Sequence, residues 1–271
     1  MSPATVRRAR QRLDQLVVER GLADSRSRAQ ALILAARVRT GEGDAARTDR
    51  KAGDLVDADL PIALVATDPY VSRGGHKLAA ALDAFEIDPS GLVCLDAGAS
   101  TGGFTDVLLQ RGAARVHAVD VGRGQLAAPI AADPRVVVHD RTNVRHLTPE
   151  SLGEPIDLAV VDVSFISVRL VLGPIAATLR DGRGQGIVAL VKPQFEVGKG
   201  GTDKGVVRDP AAHREVLERV AASAAQLGLG TRDVVASPIV GPEGNREFLA
   251  WFGRGPSCAD LPVKLAAETG T

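Results

Sequence analysis

The sequence predicts an α/β protein: an open, mostly parallel sheet with a terminal antiparallel pair, preceded by a small α+β segment. Three observations carry that prediction. Short apolar runs alternate with helical patterns from Val93 onward, a glycine-rich turn follows the first of these runs, and the first 39 residues are arginine-rich with a pattern of their own. At 271 residues the chain has room for about two domains. Hydrophobic residues at 45% and charged residues at 24% are ordinary for a folded chain, which argues against wholesale disorder. The longest run without Asp, Glu, Lys or Arg, Val220 to Thr231, is too short for a membrane span. Two cysteines, Cys94 and Cys258, cannot build a disulfide framework or a four-thiolate zinc site. The start, Met1 to Arg12, has no apolar signal stretch, so the expected compartment is the cytoplasm.

The front segment reads as two short helices followed by small strands. Leu13, Leu16 and Val17 fall at helical spacing with Gly21 as a stop. Ser25 then caps a second helix whose inner stripe is Ala29, Leu32, Ile33 and Ala36. Net charge over the whole chain is zero, but it is segregated. Residues 1 to 39 hold nine arginines, Arg7, Arg8, Arg10, Arg12, Arg20, Arg26, Arg28, Arg37 and Arg39, and no lysine, against three acids, a net of +6. Residues 40 to 68 hold three bases against seven acids, a net of −4. A local arginine patch points to a polyanion, and arginine suits bidentate phosphate contacts; a solvated helix face is the plainer alternative. No Phe, Trp or Tyr precedes Tyr70, so shape and phosphate contacts, not stacking on bases, are what this segment offers.

After a linker at 67–75, the apolar runs Val93 to Asp96, Val116 to Val121, Val136 to His139, Leu158 to Val163 and Ile187 to Val191 read as buried parallel strands. Val234 to Val240 and Phe248 to Phe252 read as the antiparallel pair, and the tail from residue 254 to 271 as loose chain. The first strand runs into Gly98-Ala99-Ser100-Thr101-Gly102-Gly103-Phe104, where small residues permit close backbone approach to a ligand. The spacing is not G-x-G-x-x-G and no Gly-Lys-Ser/Thr follows, which weakens a dinucleotide or P-loop reading. Asp120, at the end of the second strand, is placed to accept both ribose hydroxyls of a nucleoside, and Asp140, ending the third, to accept an adenine amino group. Each aspartate alone could equally be a cap or turn residue.

Several blocks carry a family resemblance. Arg12-Leu13-Asp14, Val18-Glu19-Arg20-Gly21-Leu22, Ser25-Arg26-Ser27-Arg28-Ala29 and Leu32-Ile33 resemble the S4 RNA-binding domain. The resemblance departs after Val38, where Arg39-Thr40-Gly41 replaces the family's usual alternating strand and Asn-Gly or Asp-Gly turn. The glycine loop and its topology resemble the S-adenosylmethionine site of FtsJ-like ribose methyltransferases. The pairing of the two modules resembles the TlyA family of ribosomal RNA 2′-O-methyltransferases, also labelled hemolysins. Its specific blocks are 71–78, the loop, 161–167, 190–200 and 244–247. The linker departs, with Asp68 and Tyr70 where family members can carry Arg and Trp.

The resemblance implies an S4-like domain at 1–66 and a Rossmann-like class I methyltransferase domain at 76–253, with the mostly parallel sheet seven-stranded. It implies S-adenosylmethionine held by the loop from Gly98 to Phe104 with Asp120, Val121, Asp140, Arg141 and Asp162. The substrate implied is cytidine of rRNA in ribosomal subunits, met by the nine arginines, with no metal, no membrane partner and a monomeric enzyme. It also carries a Lys-Asp-Lys-Glu set onto Lys77, Asp162, Lys192 and Glu247. The sequence pattern agrees: Asp162 and Lys192 end neighbouring strands, Glu247 opens the last, and Lys77 begins the helix marked by Leu78, Leu82 and Phe85. A cation there opposes the helix dipole at a cost of about 0.3 to 1 kcal/mol.

Methylating a ribose hydroxyl requires that a very weakly acidic proton leave. Lys192 is the expected base or alkoxide stabiliser, although an amine of ordinary pKa about 10.4 needs burial or a second cation to act near neutrality. Two structural salt bridges are the alternative reading of the same four residues. The other functions weighed are a nucleotide-dependent oxidoreductase, disfavoured by the loop spacing, and a membrane-active cytolysin, for which no amphipathic hairpin or long apolar segment is visible. A pure RNA-binding module would leave the glycine loop and the four polar residues without a purpose.

Overall fold

The structure, a computed structural model, describes residues 10–65, 68–182, 185–198 and 202–271. Expectations that fall on Arg7, Arg8, Thr67, Lys199 and Gly200 lie outside the described residues. The chain divides into two compact units, Met1–Pro69 and Tyr70–Thr271.

In the first unit, β1 (Arg10–Arg12), α1 (Leu13–Glu19), α2 (Arg26–Leu34), β2 (Val38–Thr40), β3 (Leu55–Asp57) and β4 (Ile62–Leu64) follow in order. The apolar stripe read from the sequence closes a small core: Leu13, Leu16, Val17, Ala29 and Ile33 are buried with Val38 and Val56. Gly21, at φ 69°, turns the chain after α1, and Ser25 Oγ accepts from the Arg28 amide at the start of α2. Ala36, expected on the inner stripe, is exposed with φ 54°, because α2 ends before it and the chain reverses there. Two short antiparallel ribbons complete the unit, β1 with β3 and β2 with β4. Arg39 and Thr40, where the sequence pattern departs, are thus strand residues opposite Ala63 and Ile62.

The second unit contains α3 (Gly74–Ala84), β5 (Val93–Ala97), α4 (Gly103–Gln110), β6 (Arg115–Val119), α5 (Ala128–Ala131), β7 (Val136–His139), α6 (Pro149–Leu152) and β8 (Leu158–Val161). It continues through α7 (Arg169–Thr178), β9 (Gly186–Val191), α8 (Pro193–Glu196), α9 (Pro210–Ala225), β10 (Leu229–Ala236), β11 (Phe248–Arg254) and α10 (Leu261–Thr269). Its seven strands form one sheet in the order β10-β11-β9-β8-β5-β6-β7, with β5 to β9 parallel and β11 antiparallel to both its neighbours. The period-two alternation of the strands sorts the core into two layers. Leu95, Ala97, Val161, Ile187 and Val191 pack with α7 and α9 on one face, and Cys94, Val160, Val188 and Leu190 with α3 and α4 on the other. Strand order reverses between β5 and β8, so their carboxyl ends open a crevice, the place where such sheets bind ligands.

Three expectations are corrected here. The tail is not loose over its length: α10 buries Leu265, its Glu268 accepts from the Ala236 amide (2.6 Å), and Lys264 pairs with Asp233 (2.8 Å). The strand expected at 234–240 spans Leu229–Ala236, because Leu229 and Gly230 pair with Arg254 and Gly253 at the far end of β11. The strand at 136–139 is an edge strand whose Val137 and Val138 are exposed, not a buried one. Among the described residues no helix is long and apolar enough to cross a membrane.

Candidate active site

The glycine loop leaves β5 at the crevice. Gly98 has φ 91°, and a Cβ there would sit 2.4 Å from the Asp162 carbonyl oxygen, so both the turn and the contact with the end of β8 require glycine. Gly98 and Ala99 amides donate to the Val119 carbonyl (2.8 and 3.2 Å), which ties the loop to the end of β6. Ser100 adopts φ 47°, and its amide donates to Asp120 Oδ2 (2.9 Å), while the Gly122 amide donates to Oδ1 (2.7 Å). Each oxygen of Asp120 therefore accepts one backbone donor and retains a lone pair for a ligand hydroxyl.

Two cavities flank this loop. One, of about 320 Å³, is lined by Asp120, Val121, Gln125, Asn143, Val144 and Phe165; the other, of about 430 Å³, by Arg73, Lys77, Lys192, Glu247 and the loop as far as Phe104, Gly102 excepted. Gly98, Ser100 and Asp162 line both, so the cavities meet at the ends of β5 and β8. Together they are of a size to enclose a nucleoside and its substituent.

Lys77, Asp162, Lys192 and Glu247 all line the larger cavity. Lys77 Nζ, in the first turn of α3, pairs with Glu247 Oε2 at 2.5 Å. Lys192 Nζ, immediately after β9, pairs with Asp162 Oδ1 at 2.5 Å and donates to Ser164 Oγ at 2.8 Å. Both lysines are buried, and Glu247 is wholly so, with Oε1 lacking a hydrogen-bond partner among the described residues. Gly241 roofs that oxygen; a Cβ there would approach it to 2.2 Å. Two ion pairs thus face one cavity, neutral in sum: one joins α3 to the start of β11, the other the ends of β8 and β9.

Behind the loop, Asp96 is fully buried on β5 and accepts from Thr105 Oγ1 of α4 at 2.6 Å, with Oδ1 unpartnered among the described residues. Burial pushes its carboxyl up to about 7; the Thr105 hydrogen bond opposes the rise, and the charges of Asp162 and Asp120 add to it.

The structure separates other expected residues from the cavities. Asp140 is exposed and accepts from the Gly124 amide (2.9 Å), and neither it nor Arg141 lines either cavity; Asn143 and Val144, a few residues on, do. Sequence reasoning missed Ser164 and Phe165. Phe165 is 88% exposed at φ 68°, with its ring 5.5 Å from that of Phe195, and Phe195 in turn lies 5.9 Å from Lys192 Nζ. An aromatic in a left-handed turn at the rim of a cavity is held there against its own preference. Two signals were available: both residues fall in the block 161–167 that carries the family resemblance, and Ser164-Phe165 is a polar-aromatic break after an apolar strand.

In the first unit the arginines are not equivalent. Asp14, fully buried, accepts from Arg12 Nε and Nη2 (3.0 Å each), Arg26 Nε (3.0 Å) and Gln30 Nε2 (2.9 Å). The Arg12 hydrogen bonds, above all, hold its carboxyl well below the usual range. Arg10, Arg20 and Arg37 donate to the carbonyls of Leu55, Ala58 and Val65. Arg28 and Arg39 are exposed with side chains unpaired among the described residues. Five of the seven described arginines of the patch are therefore also structural.

The FtsJ-like methyltransferase family matches residues 70–254. The chain is 49% identical over 244 residues, 90% of each chain, to the 16S/23S rRNA (cytidine-2'-O)-methyltransferase TlyA of Mycobacterium tuberculosis. It is 38% identical to Hemolysin A of Brachyspira hyodysenteriae over 89% of this chain and 99% of that one. Among solved structures, "Putative hemolysin from Streptococcus thermophilus" superposes with a TM-score of 0.73 at 39% identity, covering 96% of this chain and 94% of that one.

Proposed function

This chain belongs to the FtsJ-like methyltransferases, and to the TlyA family among them, and on that premise we propose that it methylates the 2′ hydroxyl of a cytidine in ribosomal RNA. The observation that carries the reading is the pairing of Lys192 with Asp162 beside the glycine loop, where two cavities meet. It is an S-adenosylmethionine-dependent enzyme, and the residues present fit that group. The loop offers close backbone approach at Gly98, Asp120 offers free lone pairs for a ribose, and Val121 and Val144 offer apolar surface for a base. When bound, S-adenosylmethionine supplies a sulfonium-activated methyl group that is displaced from sulfur by the ribose oxygen.

The chain's own residues do the rest. Lys192 Nζ receives the hydroxyl proton or stabilises the oxygen as it becomes anionic. Asp162 fixes that nitrogen at the ends of β5 and β8. Lys77, braced by Glu247, adds a second cation to the same cavity and is placed to hold the substrate oxygen. Because the methyl group arrives activated, most of the acceleration comes from holding the ribose oxygen in line with the methyl-sulfur bond while Nζ meets the hydroxyl proton. Phe165 presents an aromatic face at the cavity rim on which an unstacked base can lie.

The arginines of the first unit supply affinity for rRNA phosphates, with Arg28 and Arg39 the freest of them. Nucleoside mass spectrometry of rRNA from a strain lacking the gene tests the reading. Loss of 2′-O-methylcytidine, restored by the gene on a plasmid, is expected; unchanged rRNA methylation would overturn it.

A further inference from the structure

Lys192 is held by more than the aspartate that its family resemblance implies. Its Nζ has three positions besides the bond to Cε. Ser164 Oγ accepts a hydrogen bond from it at 2.8 Å; Asp162 Oδ1 is its ion-pair partner at 2.5 Å but is not aligned to accept a hydrogen bond, and the Phe195 ring stands 5.9 Å away. Lys192 lines the larger cavity, Ser164 the smaller, and Asp162 both. The ion pair thus holds the amine at the junction, and the hydrogen bond to Ser164 sets its rotation about the Cε–Nζ bond and so the direction left for a substrate.

The serine is not needed to hold its own loop. At one end the Asp162 amide donates to the Ala97 carbonyl at 2.9 Å. At the other, buried Glu196 accepts from the Val168 amide and from Ser167 Oγ, both at 2.6 Å. Ser164 itself is exposed on this doubly anchored turn, and its hydroxyl is aimed at the lysine. We propose that Ser164 is a positioning residue for methyl transfer, orienting Lys192 Nζ towards the ribose hydroxyl. The inference rests on Lys192 acting on the hydroxyl proton. That proton passes from the 2′ oxygen to Nζ as the new oxygen-carbon bond forms and the carbon-sulfur bond breaks with its electron pair on sulfur; Ser164 neither gains nor loses a proton.

A hydroxyl that aims a base acts on the rate of the bound complex and not on its formation. The test is single-turnover methyl transfer to ribosomal subunits with saturating S-adenosylmethionine, beside calorimetric affinities for S-adenosylmethionine and filter-binding affinities for subunits. Ser164→Ala is expected to slow transfer by roughly 10-fold or more, with both affinities within about 2-fold and an unchanged melting temperature. Ser164→Thr, which restores the hydroxyl, should recover most of the rate. An unchanged rate in the alanine variant would overturn the proposal, as would a threonine variant no better than alanine. A loss that lies in subunit affinity would make Ser164 a substrate contact and overturn it too. Lys192→Ala run in parallel separates the two readings. If it is inactive while Ser164→Ala is not impaired, only the serine fails; if it turns over normally, the lysine assignment fails and the serine with it.

Discussion

Asp96→Asn should change how stability depends on pH, and the structure fixes the window. The Asp96 carboxyl is fully buried beneath the glycine loop and pushed from 3.8 to about 7, chiefly by burial. Between those values the folded chain holds a proton that the unfolded chain has released, so stability falls as pH rises, at about 1.4 kcal/mol per unit. Above 7 both states are ionised and the penalty is constant. Asparagine keeps an oxygen to accept from Thr105 and carries no charge, so the variant lacks this slope. Titrations elsewhere are common to both proteins and cancel in the difference. Trp251, the single tryptophan, lies on β11 and reports unfolding of the second unit by fluorescence. Urea titrations between pH 5 and 8 should show the variant gaining about 2.5 kcal/mol on the wild type, with the gain levelling off near pH 7. Parallel stability curves would refute the reasoning and place the charge of Asp96 in a solvated environment.

Other perturbations follow from the same geometry. Gly98→Ala forces a side chain to φ 91° and into the Asp162 carbonyl, so calorimetry should find S-adenosylmethionine binding weakened by about 10-fold or more; normal affinity would remove the loop from the cofactor site. Arg28→Glu should weaken subunit binding and reduce the slope of log affinity against log salt by about 1, leaving S-adenosylmethionine affinity unchanged. Arg26→Glu is a different experiment, because it sets a second carboxylate against buried Asp14 and should lower the melting temperature of the first unit as well. An identical salt slope in the Arg28 variant would move the electrostatic footprint to other residues.

Much of this was legible in the sequence because the patterns are local. Short continuous apolar runs between helical patterns marked β5, β8 and β9, and the position of each strand's end placed Asp120, Asp162 and Lys192 on one edge of the sheet. Burial depends on neighbours, and that is not local: Val137 and Val138 read as core, but β7 is the edge strand of the sheet and both are exposed. The start of β10 was hidden because Gly228-Leu229-Gly230 reads as a turn, although pairing with the end of β11 makes it strand. The helix α10 was missed because only Leu265 and Thr269 of its nine residues are buried, too few to show a stripe. At the site, Asp140 was read from its place at a strand end, whereas Asn143 lies in the irregular chain that follows, where no periodicity marks a position. The difference between Arg26 and Arg28 is invisible in composition, since it turns on a carboxylate 12 residues away in sequence.

The most direct measurement is the fate of a labelled methyl group. Wild-type protein and Lys192→Ala are each incubated with methyl-labelled S-adenosylmethionine and ribosomal subunits, and the rRNA is digested to nucleosides. Label is expected in 2′-O-methylcytidine for the wild type and none above background for the variant, whose subunit binding stays within about 2-fold because the buried lysine contributes little to the phosphate field. Label on a base instead of a ribose, or wild-type turnover by the variant, would contradict it.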